Sequence, residues 1–477
     1  MVTNNTKRIE NQEKLYAYYS GQEDEVLSYL ETALNVTFNA DDIQEFQKDW
    51  INITKKTVNQ LATVYRDPAN RRIFLDKTEN KDLTQYYLRI SPANQNTIDK
   101  SAHRLGKLLN TSLTRVYFDK GIKYSVLPSH LYDVKVDDSD PYKPIEVAYP
   151  KDFNVNGKTE RFQVVWTATE HYKVPLFKYN HGYFKGDKQP VFEGQDMVNP
   201  YGIIPFGILR LEEQNDFWGC GLSDLVTGNE IINVILTELV NEQIIMGTAG
   251  TTLAVNLNLQ YKKEDGSMGL KKVRTGRKHP IVVEQNDKDK TPRLEHITTQ
   301  PFITEIRDTV DWKIKMIAMS KGLNPNSFLA DVKATSGYSK AIDALEQLEI
   351  RRDDIEPCRI YEEERFNIVR KVNNYHATTK DKGAYGLMEI PEKASLVVDF
   401  IEPELPKNID ETIKQEEHDL KYNTISVYDL MKAKNPDLDN KAIEEKIKKN
   451  KEINDLYKPQ VTANDINNGG LNNTGTN

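Results

Sequence analysis

The spacing of apolar residues predicts a helical N-terminal part. Residues 12–110 have helical periodicity, and a helix from about Ala40 to Tyr65 is predicted to stop before Pro68. Ser20-Gly-Gln-Glu23 has the spacing of a capping box ahead of a second apolar run. A further helix is predicted over Ala93–Leu109.

From Thr114 to Leu209 the pattern changes to short alternating segments, which are typical of β-strands. The segment RVYFDKGIKYSVLP predicts a hairpin that turns at Asp119-Lys-Gly121. The segments IEVAYP, RFQVVWTATEHY and KVPLFKYNHGYFKG follow as strands, separated by glycine, proline and asparagine. This region is β-rich, and together with the helices before it is predicted to form one mixed lobe.

Two amphipathic helices are predicted on either side of a small strand-rich segment. The first begins near Ser223, capped by this residue or a neighbour, and runs to about Met246. The second covers Pro301–Lys321, and residues 251–299 between the two are predicted to form strands and turns. The inward positions of the second helix are expected to be Ile303, Ile306, Val310, Ile314 and Ile317.

The C-terminal part returns to helical patterns. A long helix is predicted over Ser339–Asn373 with a kink at Pro357, and an extended piece, LVVDFIEPELP, follows it. Two or three helices of mixed charge are predicted between Asp410 and Tyr457, and residues 458–477 are predicted to be disordered. The whole pattern predicts an α+β protein that is mainly helical.

Composition narrows the class of protein. The chain has 477 residues, 38% hydrophobic and 29% charged, with a formal net charge of −8, which excludes a globally basic nucleic-acid-binding protein. The segment Met1–Leu30 lacks the apolar core of a signal peptide, and no apolar run is long enough to span a bilayer. Cys220 and Cys358 lack a CxxC spacing, so neither a disulfide framework nor a cysteine zinc site is expected. We therefore expect synthesis in a reducing cytoplasm and no membrane association.

Common enzyme motifs are absent from the sequence. It contains no GxGxxG, GxxxxGK[ST], HExxH or GxSxG. Thr335-Ser-Gly-Tyr-Ser-Lys340 resembles a phosphate-binding loop only loosely and is interpreted as a plain loop before a helix. The histidines, among them His171, His181 and His418, are expected at the surface, and Tyr361-Glu-Glu-Glu364 on a solvated helix face. No catalytic residue, metal site or cofactor is therefore predicted.

Charge is segregated along the chain. Lys262–Arg293 holds ten Lys or Arg against five Asp or Glu, whereas Asp343–Arg365 holds nine acidic residues against four basic ones. A solvated hairpin is one explanation of the basic segment. The other explanation is that the protein has distinct ends, which face different partners.

Four stretches, taken in their order and spacing, resemble the portal family of tailed bacteriophages, and are closest to the portals of long-tailed phages that infect Gram-positive hosts. One of them, Thr335–Ala341, opens the long helix and departs from the family's Ser-Gly-x-Ala-Leu pattern at Tyr338 and Ser339. The other three are Trp50–Ala62 with Tyr65 and Pro68, Tyr201–Gly207 leading into Gly219–Leu225, and Phe400–Pro406 followed by Thr424–Leu430, Asn435-Pro-Asp and Ala442–Ile447.

The resemblance implies the portal fold, in which subunits assemble into a ring of twelve around a tunnel. Residues 221–250 and 300–322 would be two stem helices that line the channel, joined by a clip of residues 251–299. The remaining parts would be a wing (1–220), a tunnel loop (323–338), a long wing helix with a return strand (339–400), a crown (401–457) and a disordered tail (458–477).

The resemblance also implies a function. The ring would be a non-enzymatic conduit at one capsid vertex of the virion, through which double-stranded DNA is packaged and ejected without sequence-specific binding. Its protein partners would be further copies of the chain, the major capsid protein, the large terminase subunit and a head-completion or adaptor protein. Lys333 and Lys340 are candidate DNA-tunnel residues. The candidate clip residues that face a partner are Lys271, Lys272, Arg274, Arg277 and Lys278.

Two other classes of protein stay open. A nuclease or an ATP-driven translocase would need a metal or phosphate site, and an ATPase assay would reveal it. A helical adaptor or scaffold outside the capsid would be a monomer or a dimer, whereas a portal subunit would form closed rings.

Overall fold

The structure is a computed structural model that describes two compact units. The first comprises residues 1–334 and 342–403, and the second comprises residues 335–341 and 404–477. Within them the described residues are 5–155, 157–179, 182–192, 194, 196–214, 216–241, 251–258, 260–262, 268–270, 284–285, 291, 293–297, 302–328, 337–381, 383–401, 409–435 and 439–456.

The N-terminal part of the first unit is helical. Its helices are α1 (Asn5–Ser20), α2 (Glu23–Leu34), α3 (Ala40–Glu45), α4 (Ile53–Leu61), α5 (Lys81–Ile90) and α6 (Gln95–Leu109), and later in the chain come α7 (Ser223–Glu238), α8 (Ile303–Ser320) and α9 (Gly337–Tyr375). Each amphipathic helix buries one apolar face against its neighbours. One shared cluster joins five of these helices through Leu15, Val26, Val58, Leu108 and Leu225.

Most strands before α7 lie where alternation predicts them, but the two strands between Asn70 and Glu79 lie within residues 12–110, where the prediction of helix is wrong. The strands before α7 are β1 (Asn70–Leu75), β2 (Thr78–Glu79), β3 (Thr111–Phe118), β4 (Ile122–Leu127), β5 (Asp133–Val136), β6 (Pro144–Val155), β7 (Lys158–Thr167), β8 (His171–Tyr179), β9 (Gly182–Lys185), β10 (Gln189–Pro190) and β11 (Phe206–Arg210). Those after it are β12 (Thr251–Val255), β13 (Leu257–Asn258), β14 (Gln260–Lys262), β15 (Met268–Leu270), β16 (Glu284–Gln285), β17 (Arg293–Ile297) and β18 (Ser395–Asp399).

The strands before α7 form antiparallel sheets. A six-stranded sheet has the order β10-β8-β7-β6-β5 with β9 paired to β8, and a three-stranded sheet has the order β11-β3-β4. The predicted hairpin at Asp119–Gly121 is confirmed as the turn between β3 and β4. A second three-stranded sheet, β18-β1-β2, joins distant parts of the chain, since Arg71 lies opposite Val398.

The C-terminal half of α9 runs through the largest core of the first unit. Tyr361, Phe366 and Val369 are buried there with residues from β1, β3, β4 and β18. Gly207 of β11 permits close packing, because a Cβ atom at this position would lie 3.3 Å from atoms of both Tyr361 and Arg365. α9 continues as one helix across Pro357.

Two further local predictions in the N-terminal part are also wrong. The helix expected from Ala40 to Tyr65 is interrupted, because Phe46 takes an extended conformation and Asn52 starts α4 by accepting a hydrogen bond from the Lys55 N–H at 2.8 Å. The capping box expected at Ser20–Glu23 does not form. Ser20 is the last residue of α1, and its hydroxyl donates to the Tyr16 carbonyl at 2.8 Å.

The second unit contains three helices in its described residues: α10 (Ile409–Lys421), α11 (Val427–Lys434) and α12 (Asn440–Leu456). This agrees with the two or three helices predicted there. A capping box opens α11, in which the Ser426 hydroxyl accepts from the Asp429 N–H and the Asp429 carboxylate accepts from the Ser426 N–H. The predicted disordered tail, 458–477, lies outside the described residues.

The broad fold class is confirmed. The part of the chain that the structure describes contains both helices and strands, with more helix than strand, which makes it a mixed α+β protein. The portal fold and the ring assembly are finer statements, and they stay predictions.

Candidate functional site: the paired helices α7 and α8

Helices α7 and α8 pack against each other, although about 65 residues separate them in sequence. Ile232 of α7 is buried with Val310 and Ile314 of α8. Gly228 allows the close approach, since a Cβ atom there would lie only 2.9 Å from Ile317 Cδ1. Among the inward positions expected on α8, Val310 and Ile314 are buried, whereas the expectation is wrong for Ile303, which lies in the first turn and is 38% exposed.

The side chains on another face of α7 bind an extended segment of the chain. Asn229 Oδ1 accepts hydrogen bonds from the N–H groups of Ile53 and Thr54 at 3.0 Å, and its Nδ2 donates to the Ile51 carbonyl at 2.8 Å. Asn233 accepts from the Ile51 N–H at 3.1 Å. These bonds satisfy backbone groups that would otherwise be buried without partners.

The same arrangement continues along the helix. Thr237 Oγ1 accepts from the Asp49 N–H at 3.2 Å and donates to the Asp49 carbonyl at 3.1 Å. Asn241 forms the same pair of bonds with Gln47, both at 2.9 Å. Four residues of helix rise ~6 Å and two residues of extended chain span ~6.6 Å, so the two repeats match. We call Asn229, Asn233, Thr237 and Asn241 the polar ladder.

The outer surface of α8 carries large apolar side chains. Trp312, Met316 and Met319 are 57%, 46% and 59% exposed, and their spacing places them in one row along the helix. Ile231 of α7 is also exposed. An apolar row of this kind is typical of a surface that another protein chain covers.

The described residues between α7 and α8 include three nested pairs of strands. β12 pairs with β17, β13 with β16 and β14 with β15, each antiparallel. The pairing is therefore nested: the first strand pairs with the last, and the two innermost strands pair with each other. The segment follows α7 and precedes α8 in the sequence. Strands between 251 and 299 are confirmed for the described residues.

The sequence-predicted site residues are mostly outside the described part of the chain. Lys333 lies there, as do Lys271, Lys272, Arg274, Arg277 and Lys278. Lys340 lies in the first turns of α9, in the segment that belongs to the second unit, and its side chain is outside the described residues. Their proposed roles in DNA or partner contact therefore stay predictions.

A buried set of charged side chains in the first unit corrects the interpretation of Tyr361–Glu364 as a solvated face. Glu362 is inaccessible to solvent and lies 2.6 Å from both Arg71 and Arg365. Asp99, also inaccessible, lies 2.6 Å from Arg71 and contacts Arg365. We call Arg71, Asp99, Glu362 and Arg365 the buried charge cluster. Burial alone would raise the pKa of Glu362, but attraction to Arg365 and Arg71 outweighs it and lowers this pKa.

The expectation of surface histidines is wrong at two positions. His103 is fully buried and its Nε2 lies 3.0 Å from Asp354, which Lys107 also contacts at 2.7 Å. His376 is 5% exposed and lies between Asp381 and Tyr201. Burial lowers the pKa of both imidazoles. His418 is exposed as expected, and His181 lies outside the described residues.

Neither the polar ladder nor the buried charge cluster was predicted, although each left a signal in the sequence. Three of the ladder positions are asparagines four or eight residues apart, among several Ile, Leu and Val residues of the same segment. Glu362 and Arg365 lie on the same helical stripe as Cys358, Tyr361 and Phe366. In each case the polar residues occupy core positions, which requires a partner that the sequence does not identify.

The part of the chain that the structure describes contains no group of three or more His, Cys, Asp or Glu side chains able to hold a metal ion. Both cysteines are free: Cys220 is exposed and Cys358 is buried. A scan against protein-family models and a search of curated proteins returned no match. Among the described helices, none is long and apolar enough to cross a membrane.

Proposed function

We propose that this chain is a portal subunit. Twelve copies would form a ring at one capsid vertex of a tailed phage, and DNA would pass through its tunnel during packaging and ejection. The ring would bind the major capsid protein, the large terminase subunit and a head-completion or adaptor protein.

The observation that carries the proposal is the packing of α7 against α8, together with the three nested strand pairs that lie between these helices in the sequence. A portal stem requires two helices side by side and a small β-rich element that connects them at one end. The sequence resemblance assigns these roles to the same segments. The proposal therefore rests on a resemblance and on a helix pair that is compatible with it.

The exposed row on α8 supports assembly of several copies. Trp312, Met316 and Met319 would cost free energy in water at roughly 25 cal/mol for each Å² of apolar surface that stays uncovered. A neighbouring copy that covers this row in a ring would remove that cost. In a closed ring with identical contacts every copy has its contact surface covered by a neighbour, whereas an open assembly leaves one such surface exposed at each end.

The charge of the chain suits a conduit. Each DNA phosphate that a protein neutralises adds salt-dependent affinity, and that affinity opposes sliding. A chain with a net charge of −8 leaves attraction to DNA to local basic segments. Transient contact without sequence recognition then suffices, because the contacts need only reach phosphates.

The experiment is negative-stain microscopy and light scattering on the purified full-length chain. We expect closed rings of about twelve subunits. The substitution Trp312→Glu should convert rings to monomers while the circular dichroism spectrum stays unchanged, because a charge replaces an apolar contact.

Leu88→Glu is the matched control. Leu88 is also exposed, on α5, and its replacement should leave the rings intact. A wild-type chain that stays a monodisperse monomer at every salt concentration would overturn the portal proposal and favour the adaptor class. Intact rings in the Trp312→Glu variant would show that the α8 row is not an assembly surface.

A further inference from the structure

A cleft of about 1050 Å³ opens in the first unit, and its lining includes no residue of α7 or α8. It lies between β3, one face of the six-stranded sheet and the segment that follows α9. Its lining includes Arg115, Lys151, Trp166, His171 and Tyr201. None of these residues has a role in the proposed stem, clip or tunnel loop.

Stacked rings build the walls of the cleft. The His171 ring stacks on Trp166 with centroids 3.4 Å apart, and the Phe118 ring stacks on His376 at 3.9 Å. The Tyr201 hydroxyl is 3.2 Å from His376 Nε2. These contacts fix the side chains in place, so the cleft is formed before anything binds to it.

Two cations enter the cleft without a carboxylate partner in the described part of the chain. Arg115 of β3 lies over the rings of Tyr117 and Tyr149, with its Cζ atom 4.9 and 5.3 Å from their centroids. Lys151 of β6 lies over Phe153 at 4.9 Å. The rings hold both cations by cation–π contacts, which position a charge without neutralising it. Lys380 adds a third positive charge at the rim.

The charges of this group repel one another. Burial and then the nearby charge of Arg115 lower the pKa of Lys151. Burial, Arg115 and Lys151 lower the pKa of His171 to about 3, and its Nε2 has no hydrogen-bond partner. An anion beside Arg115 and Lys151 would relieve this repulsion.

The lining carboxylates do not supply that anion. Asp119 forms an ion pair with Lys123 at 2.7 Å, and Asp196 is exposed at the rim, where it forms no ion pair with a described residue. The rim also carries apolar side chains, since Phe192 is 54% and Val198 65% exposed. Positive charge inside and apolar surface at the mouth together define the ligand's chemistry.

We infer that this cleft binds an acidic peptide segment of a partner protein, with a carboxylate between Arg115 and Lys151 and apolar side chains against Phe192 and Val198. Charge complementarity selects the acidic group, because neither cation has a carboxylate partner within the described chain. The volume and the apolar rim select a peptide over a single small anion, which would leave both unused.

The test is fluorescence anisotropy with the full-length chain and a fluorescein-labelled octapeptide of alternating leucine and glutamate. We expect saturable binding that weakens with added salt, and about tenfold weaker binding of the matched leucine–glutamine octapeptide. Lys151→Gln should weaken binding about three- to tenfold, and Arg115→Gln by more than about tenfold, since its guanidinium forms two bonds to a carboxylate.

Lys158→Gln is the matched control. Lys158 begins β7 in the same sheet and does not line the cleft, so this variant should bind within about twofold of wild type. Lys151 is exposed, so its replacement leaves the core intact even if Arg115→Gln unfolds the chain.

Three results would overturn the inference. The first is an equal loss of binding in Lys151→Gln and Lys158→Gln, which would indicate unspecific attraction. The second is displacement of the peptide by inorganic phosphate with an affinity equal to that of the peptide, which would indicate a small-anion site. The third is loss of self-association of the chain in Lys151→Gln without loss of peptide binding, which would make the cleft a contact between copies.

Discussion

Glu362 and Arg365 illustrate how single residues constrain this fold. Two arginines and two carboxylates meet in the core, where only Arg71 retains slight access to solvent, so their charges balance within the buried charge cluster. Such an arrangement contributes little net stability, because the removal of four charges from water offsets their attraction. Loss of one member is costly, however, since it leaves an uncompensated charge in the core.

We therefore expect Glu362→Gln to lower the free energy of unfolding by about 3–5 kcal/mol, as measured by urea denaturation. The adjacent exposed residue provides the control. Glu363→Gln makes the same chemical change at the surface and should alter the free energy of unfolding by less than about 0.5 kcal/mol. Equal effects of the two substitutions would contradict the structural role of the cluster.

Two partly buried histidines make stability depend on pH. Burial lowers the pKa of His130 to about 4 and that of His171 to about 3, whereas in the unfolded chain both are near 6.5. Below about pH 6.5 the unfolded chain therefore binds protons that the folded chain does not bind. The free energy of unfolding should fall as the pH is lowered from 7 towards 4.

The contribution of one of these groups is measurable with His171→Phe, which keeps a ring against Trp166 and removes the titration. When the pH is lowered from 7 to 5, the free energy of unfolding should fall by about 1–2 kcal/mol less in this variant than in wild type. His418→Phe alters an exposed histidine and should follow the wild-type curve. If the unfolding free energy of His171→Phe depended on pH as it does in wild type, His171 would not contribute to this pH dependence.

At the scale of elements, the polar ladder joins α7 to the extended segment between α3 and α4. The ladder side chains supply the backbone hydrogen bonds that a neighbouring strand or a helical turn would otherwise provide to this segment. It also places the N-terminal part of the chain against a helix that the proposed function assigns to the channel wall. The interruption of the predicted helix over Ala40–Tyr65 follows from these bonds.

Hydrogen exchange tests the ladder. Asn229→Leu removes the acceptor of the Ile53 and Thr54 amides, and each buried donor that loses its partner costs about 1–3 kcal/mol. We expect these two amides to lose protection before those of α6. Thr227→Val, at an exposed position of the same helix, should leave the exchange pattern as in wild type.

At the scale of the whole molecule, the sheets and helices of the first unit form its core without the C-terminal segment. Each hydrophobic cluster found in the described residues of this unit ends at or before Phe400. The strand pairing of β1 with β18 explains why the unit extends that far along the chain.

A chain that ends at Pro403 should therefore fold. We expect its melting temperature by differential scanning calorimetry to lie within about 2 °C of the corresponding transition of the full-length protein, because no core contact of the first unit is removed. A chain that ends at Ser395 serves as the comparison. It loses β18 and its buried Leu396 and Val398, and it should not show this transition. Loss of the transition in the longer chain would contradict the division into units.

The sequence by itself determined the broad class, the strand-rich middle, the two helices around residues 251–299 and the C-terminal helices. These depend on local periodicity and on turn residues, which act over a few positions. It also carried the resemblance from which the proposed function starts. The periodicity near Ala40–Tyr65 led to a wrong prediction because it registers apolar spacing and does not register a competing hydrogen-bond partner.

Only the tertiary structure decided which polar residues are buried and what they contact. Asn229 and Ile53 are 176 residues apart, and Arg365 and Asp99 are 266 apart, so no local pattern links them. The same holds for Arg115 and Lys151, which become one cationic cleft only when two sheets meet. A buried polar group is stable only beside its partner, and folding alone brings the two together.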